Sequence, residues 1–186
     1  IIELVSAMAG AFILVNTIIL VKGGLELTDK DYGLIMAAFG IGATVAAFVS
    51  GAIDKSKSRQ VSLLLGALVL GLSISAANYL NFSLLFVFWI FAGLGQSLAE
   101  IPSETLIGEN ISDSEQGKVY GSHFAFSHLW WAISYPIAGY LGTNFPDREF
   151  LYGGIITLTL LTIVFLFLRP KDSVGKSEHL KSRKVG

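Results

Sequence analysis

Long stretches without charged residues are the feature that most restricts how this chain folds. The longest, Val61–Ala99, contains no Asp, Glu, Lys or Arg. A membrane-spanning helix needs about 20 mostly apolar residues, so this run is long enough for two. Charged residues make up only 15% of the chain, against roughly 25% in a typical soluble domain. We therefore predict a polytopic membrane protein.

The longest run must be broken, because a single helix of that length would project far out of a bilayer. Asn78 and Asn81 are turn-prone residues near its middle and predict a helical hairpin. A basic, polar tail over 169–186 follows the last apolar run, and we predict that it is disordered. The pattern predicts an all-α membrane protein with six transmembrane helices, at about 1–21, 32–53, 61–80, 82–107, 118–141 and 150–168.

Basic residues are distributed unevenly between the two sides of this six-helix topology. Ten of them fall in the loops and tail of one side, and only Lys22, Lys30 and Arg148 fall on the other. Lys and Arg are enriched in cytoplasmic loops, so both chain ends are predicted to be cytoplasmic. The ten are Lys55, Lys57, Arg59, Lys118, Arg169, Lys171, Lys176, Lys181, Arg183 and Lys184.

The connections between the predicted helices are short, the longest being about ten residues. They leave no room for a soluble catalytic or nucleotide-binding domain, and the chain has no GxxxxGK[ST] phosphate loop. The absence of cysteine excludes disulfides and thiolate metal sites. We expect no cofactor, no nucleic-acid partner and no enzymatic activity.

An intramembrane serine protease is the enzyme class that these residues resemble most. Gly95-Gln96-Ser97-Leu98 in the fourth helix is similar to the nucleophile turn of such enzymes. They also need a histidine base on the sixth helix, and residues 150–168 contain none. A serine without a base is not activated, so this alternative is remote.

The loop from Gly51 to Gln60 reads GAIDKSKSRQ, with Asp54 three residues after the glycine and basic residues following. It resembles the signature loop of the major facilitator superfamily. The resemblance implies helices seven to twelve of a twelve-helix secondary transporter, built as two inverted three-helix repeats. Its partners are then the lipid bilayer and a missing N-terminal half, which agrees with a chain that opens at Ile1 inside an apolar run. Gly51, Asp54, Lys55 and Arg59 are then gate residues.

The run from Gly117 to Gly142 carries a second resemblance. Its residues GKVYGSHFAFSHLWW and YPIAGYLG resemble the eleventh helix of nickel-resistance efflux permeases of the same superfamily. This implies proton-coupled efflux of a small solute, with nickel-like divalent ions as the leading cargo, across a bacterial inner membrane. Those permeases often end in histidine-rich tails, whereas this tail has only His179. Import or export of an organic molecule, such as a drug or a sugar, stays open as the alternative.

Two histidines lie in this fifth helix, His123 and His128. Five residues correspond to about 140° around a helix with 3.6 residues per turn, so the two side chains cannot hold one ion from one face. His123 shares a stripe with Ser127 and Trp131. Packing and a role in substrate or proton binding are both open for the histidines and for Trp131, and as metal ligands the histidines are weak candidates.

Two acidic residues and two amides complete the predicted site. Glu104 is expected to pair with Arg59 or Lys57 and to close the cytoplasmic gate. Glu100 lies one helical turn deeper and is the better candidate for proton or cation coupling. Asn16 and Gln96 are uncharged polar groups at membrane depth, expected to bond between helices or to line the substrate cavity.

Overall fold

A computed structural model describes residues 2–52 and 59–168; inside these ranges the side chains of residues 2, 51, 52, 59, 60, 102–104, 106, 107, 109, 110 and 168 are not described. The described backbone is helical throughout apart from its turns. Its helices are α1 (Ile2–Ile19, continued by a π-helical turn over Leu20–Gly24), α2 (Asp29–Ala52), α3 (Arg59–Ala76, continued by a 3-10 turn over Ala77–Tyr79), α4 (Phe82–Asn110), α5 (Asp113–Asn144) and α6 (Glu149–Leu168).

Local side-chain bonds mark where several helices begin. The Asn81 side chain accepts a hydrogen bond from the Leu84 backbone N–H at 3.0 Å, so it caps α4 in the hairpin turn after α3. Thr28 and Asp31 bond reciprocally at the start of α2, as in a capping box. These residues place the turns between the helices.

The connection between α4 and α5 differs from the expected loop of about ten residues. Only Ile111 and Ser112 separate the two helices. Ser112 occupies the N-cap position, and Asp113 and Glu115 lie in the first turn of α5, where negative charge favours the positive end of the helix dipole. The polar residues there extend the helices instead of forming a loop.

Five of the six helices in the described part of the chain are long and apolar enough to cross a membrane, and α5 does not reach that hydropathy. Its 32 residues include histidines, serines and Pro136 within the helix. In this respect α5 differs from the other five helices. A helix of this composition requires protein or water along part of its surface.

The helices pack in a scheme with internal symmetry. The helix α4 packs mainly on α2 and α3, whereas α1 packs mainly on α5 and α6, and α3 and α6 pack on each other. Exchanging α1–α3 with α4–α6 leaves this scheme unchanged, as two three-helix repeats would. The most enclosed helix is α1: 72% of its apolar stretch is buried, compared with 22% for α2.

Glycines set the closest crossings. A Cβ atom on Gly42 of α2 would collide with the backbone of Ile90, and one on Gly93 of α4 would collide with the backbone of Phe39. Gly95 meets Gly66 of α3 in the same way. Backbones therefore touch directly at these crossings. By contrast, a Cβ atom on Gly40 or Gly139 would have no neighbouring atom within 4 Å.

Candidate functional site

The line of contact between α1 and α5, here called the α1–α5 seam, holds a cluster of polar side chains. His123 Nε2 lies 3.6 Å from Glu3 Oε1, and Ser127 Oγ donates a hydrogen bond to Glu3 Oε2 at 3.4 Å. His123 and Ser127 are four residues apart, so they share one helix face. The side chains of His123 and Glu3 are only 21% and 14% exposed. The seam thus joins a base, an acid and a hydroxyl between two helices.

Further along the seam the contact is made by Trp131. A methyl group on Gly10 of α1 would collide with its indole ring, so this ring fits against a helix that has no side chain there. The ring also lies 5.5 Å from that of Tyr135, centroid to centroid. The predicted stripe of His123, Ser127 and Trp131 therefore faces α1 along its whole length.

Asn16 lies at the far end of the same seam and is fully buried. Its Nδ2 donates to the carbonyl oxygen of Ala138 at 3.1 Å, and its side chain fills the place that a Cβ on Gly142 would take. Asn16 Oδ1 has no hydrogen-bond partner among the described residues. Of the two expected roles for Asn16, the structure shows the bond between helices.

His128 lies apart from the seam and is exposed. Its Nδ1 is 2.9 Å from the carbonyl oxygen of Phe124 on the same helix, and its ring stacks against that of Phe124 with centroids 3.8 Å apart. The two histidines do not converge. Among the described residues there is no group of three or more His, Cys, Asp or Glu side chains placed to hold a metal ion.

Gln96 and Glu100 form a second polar pair, one turn apart on α4. Gln96 Nε2 donates to Glu100 Oε1, and Gln96 is 7% exposed. Its Oε1 has no hydrogen-bond partner in the described part of the chain. The predicted coupling residue Glu100 is thus held by a neutral amide from its own helix, among its other interactions.

The predicted cytoplasmic gate falls largely beyond what the structure describes. Asp54 and Lys55 lie outside the described residues, and the side chains of Gly51, Arg59 and Glu104 are among those not described. The expected pairing of Glu104 with a base of the loop therefore stays a prediction.

Two acids sheltered from solvent were missed by the sequence reasoning. Glu3 directly precedes the first apolar run. It can be recognised as a site residue opposite His123 only once α1 and α5 are known to pack together. Glu149 is the first residue of α6 and is fully buried. Asn78 Nδ2 donates to Glu149 Oε2 at 3.0 Å, and Asn78 Oδ1 accepts from the backbone N–H groups of Phe150 and Leu151.

The arrangement of helices, close glycine crossings and intramembrane polar side chains agrees with one comparison with known families. The family model described as Major Facilitator Superfamily matches residues 1–185. The chain belongs to the major facilitator superfamily. Members of this family are secondary transporters and not enzymes, which agrees with the expectation that this chain is not an enzyme. No curated protein and no solved structure matches the chain.

Proposed function

We propose that this chain is one half of a twelve-helix secondary transporter, corresponding to helices seven to twelve, and that it moves a small solute in exchange for protons. Membership in the superfamily supports the transporter class. The observation that supports a substrate pathway is α5. This 32-residue helix is long enough to cross a bilayer but too polar to face lipid alone. Such a helix fits the wall of a solvated pathway.

The outward side of α5 supports this position. Phe124, Phe126 and Tyr140 are more than 60% exposed, and His128 is exposed with its ring stacked on that of Phe124. In the proposal this side faces the preceding six helices, the N-terminal half, across the substrate pathway. The lipid bilayer surrounds the remaining, more apolar helices.

The distribution of charge supports an orientation with both ends in the cytoplasm of, we propose, a bacterial inner membrane. The signature loop then lies inside, where Gly51 allows close helix approach and Asp54, Lys55 and Arg59 form the gate with Glu104. We propose that this gate closes during the outward-facing state of an antiport cycle that exports the cargo.

For the cargo we propose nickel-like divalent ions. The support is the resemblance of residues 117–142 to nickel-resistance efflux permeases and the presence of imidazole and carboxylate ligands without thiols, which suit nickel, cobalt or zinc. Because the described residues hold no group of three ligands, the N-terminal half would have to complete the site.

An organic solute is the second candidate, and the aromatic side of α5 favours it. Ligand pockets for organic molecules are lined by aromatic side chains with a few polar groups. The exposed ring of Phe124, stacked on that of His128, provides one such aromatic and polar pair. A drug or a sugar fits this surface as well as a hydrated metal ion does.

The test uses the intact gene in a bacterial host that lacks its own nickel exporters. Growth is scored in nickel, cobalt and zinc, and uptake of the same metals and of a panel of organic cations and sugars is measured in everted vesicles under an imposed pH gradient. The matched control is Asp54→Asn, which keeps the size of the gate residue and removes its charge.

We expect raised tolerance to at least one metal and gradient-driven uptake, both lost in the control. Unchanged tolerance to all three metals, with gradient-driven uptake of an organic solute, would replace the metal by the second candidate. If a pH gradient drove uptake of nothing in the panel, proton coupling would be refuted.

A further inference from the structure

We infer that Glu3 on α1 and His123 on α5 together form the proton-binding site of the transport cycle; this inference rests on the proposed function. The sequence placed His123 among the candidate coupling residues but gave it no acidic partner. The structure supplies that partner from a helix 120 residues away along the chain.

The geometry of the cluster assigns a separate role to each carboxylate oxygen. Glu3 Oε1 faces the imidazole at 3.6 Å, whereas Glu3 Oε2 accepts a hydrogen bond from the Ser127 hydroxyl. The hydroxyl contacts one carboxylate oxygen, and the imidazole faces the other. The 3.6 Å separation is within ion-pair range and longer than a hydrogen bond, so the contact between this oxygen and Nε2 is electrostatic.

Shelter from solvent distinguishes this pair from a surface salt bridge. Lys22 and Asp29 form an ion pair at 2.6 Å with side chains 46% and 80% exposed, and such pairs contribute little because water screens them. Glu3 and His123 are 14% and 21% exposed. A sheltered carboxylate that loses a charged partner is strongly disfavoured. The protonation state of His123 therefore affects the stability of the contact between α1 and α5.

The proton step forms and breaks one N–H bond. A proton from water on one side binds His123 Nε2, and the pair then consists of an imidazolium and a carboxylate with no net charge. Release of that proton to water on the other side leaves a neutral imidazole beside a carboxylate, so the pair carries one negative charge. The loaded seam is stable when closed, whereas the unloaded seam favours hydration and separation of α1 from α5.

The other ionisable groups on the neighbouring helices can be named. The helices α3 and α6 also pack on α1. Residues 61–78 and 153–167 contain no ionisable side chain, but α3 begins with Arg59, whose side chain is not described, and α6 begins with Glu149 and also carries Tyr152. On α4 there are Glu100, which Gln96 contacts, and Glu104 and Glu109, whose side chains are not described. On α5 Tyr120 lies one turn before His123, and His128 is bonded to the Phe124 carbonyl on the exposed side.

Trp131 provides an internal probe of protonation, because it lies one turn beyond Ser127 on the same face. The intact protein is purified with its other tryptophans replaced by phenylalanine, and Trp131 fluorescence is followed as a function of pH. We expect one transition in the parent protein. It should vanish in His123→Gln, be altered in Glu3→Gln, and persist in His128→Gln and in the exposed control Glu115→Gln.

Transport measurements separate this inference from the proposed function. Proteoliposomes of the parent and of each variant are assayed for nickel movement driven by a pH gradient and for nickel exchange without one, with elution as a single species confirming folding. We expect Glu3→Gln to lose the driven movement and to keep the exchange, and we expect His123→Gln, which also removes a candidate cargo ligand, to lose the driven movement.

Two results would contradict the inference while leaving the proposed function intact. One is gradient-driven movement that survives in both seam variants but is lost in Glu100→Gln. The other is a fluorescence transition that depends on His128 and not on His123. If the parent protein moved neither nickel nor any organic solute of the panel above with the gradient, the proposed function itself would fail.

Discussion

Two helix crossings occupy equivalent places in the packing scheme, but one is a contact between backbones and the other is a contact made by side chains. The α2–α4 crossing maps onto the α1–α5 crossing when the two three-helix units are exchanged. At the first, Gly42 and Gly93 bring two backbones into direct contact. At the second, the contact is made by side chains: Trp131 against Gly10, and Asn16 against Gly142.

This difference shows that equivalent helix crossings in the two three-helix units can have different structural roles. A crossing of backbone on backbone has no side-chain torsions through which to adapt, and it places no titratable group between the helices. A crossing made by side chains has rotatable groups and room for polar atoms. The α1–α5 seam is therefore suited to motion and proton chemistry, whereas the α2–α4 crossing is suited to holding the unit together.

The largest expected effect comes from filling the backbone crossing. Gly42→Leu places four carbons where the Ile90 carbonyl lies, and overpacking of this kind costs about 1–3 kcal/mol or more. We expect the variant to accumulate poorly in the membrane and to elute as aggregate. Gly40→Leu is the matched control, two residues earlier on α2 with open space around it. Equal yields of monodisperse protein for both variants would mean that the crossing is not tight.

The second test applies one small change to both crossings. Gly42→Ala drives a methyl group into backbone, whereas Gly10→Ala drives it into the indole of Trp131, which can rotate. We expect Gly10→Ala to lower thermal stability by about 1 kcal/mol and Gly42→Ala to lower it by more. Gly139→Ala, with nothing nearby, serves as reference. The comparison breaks down if the melting temperatures fall in the opposite order.

The smallest expected effect concerns the hydrogen bond at the far end of the seam. Asn16→Ala removes the bond to the Ala138 carbonyl, and bonds between membrane helices contribute about 0.6–1.7 kcal/mol. We expect a slight loss of thermal stability and no change in the pH dependence of Trp131 fluorescence. A changed pH dependence would show that Asn16 takes part in the proton chemistry, and the seam would then act as one unit.

The hairpin turn shows what local chemistry predicts well. Asn78 and Asn81 predicted a break in a long apolar run, and the structure has its 3-10 turn and the start of α4 there. The cap that Asn81 gives to α4 is a contact within four residues. The bonds from Asn78 to the start of α6 cross more than 70 residues, and no local pattern predicts them.

In the candidate site, too, local sequence patterns predicted some features, and only the packing of distant helices revealed the others. Helical periodicity placed His123, Ser127 and Trp131 on one face, and the structure confirms that they share the face turned to α1. Periodicity could not name the residue opposite. Asn16 was expected to bond between helices or line the cavity, and its bond to the Ala138 carbonyl follows only from the pairing of α1 with α5.

The sequence by itself determined the class of the protein, because backbone polar groups inside a bilayer must be satisfied within each segment and long apolar runs therefore become helices. It also determined the number of helices and the positions of most turns, which depend on neighbours along the chain. The tertiary structure alone decided which helix lies against which, and with it the pairing of Glu3 with His123 and the burial of Glu149. Those outcomes depend on the fit of glycines and side chains between distant segments, since lipid surrounds every helix with an equally apolar environment and only packing selects the partner.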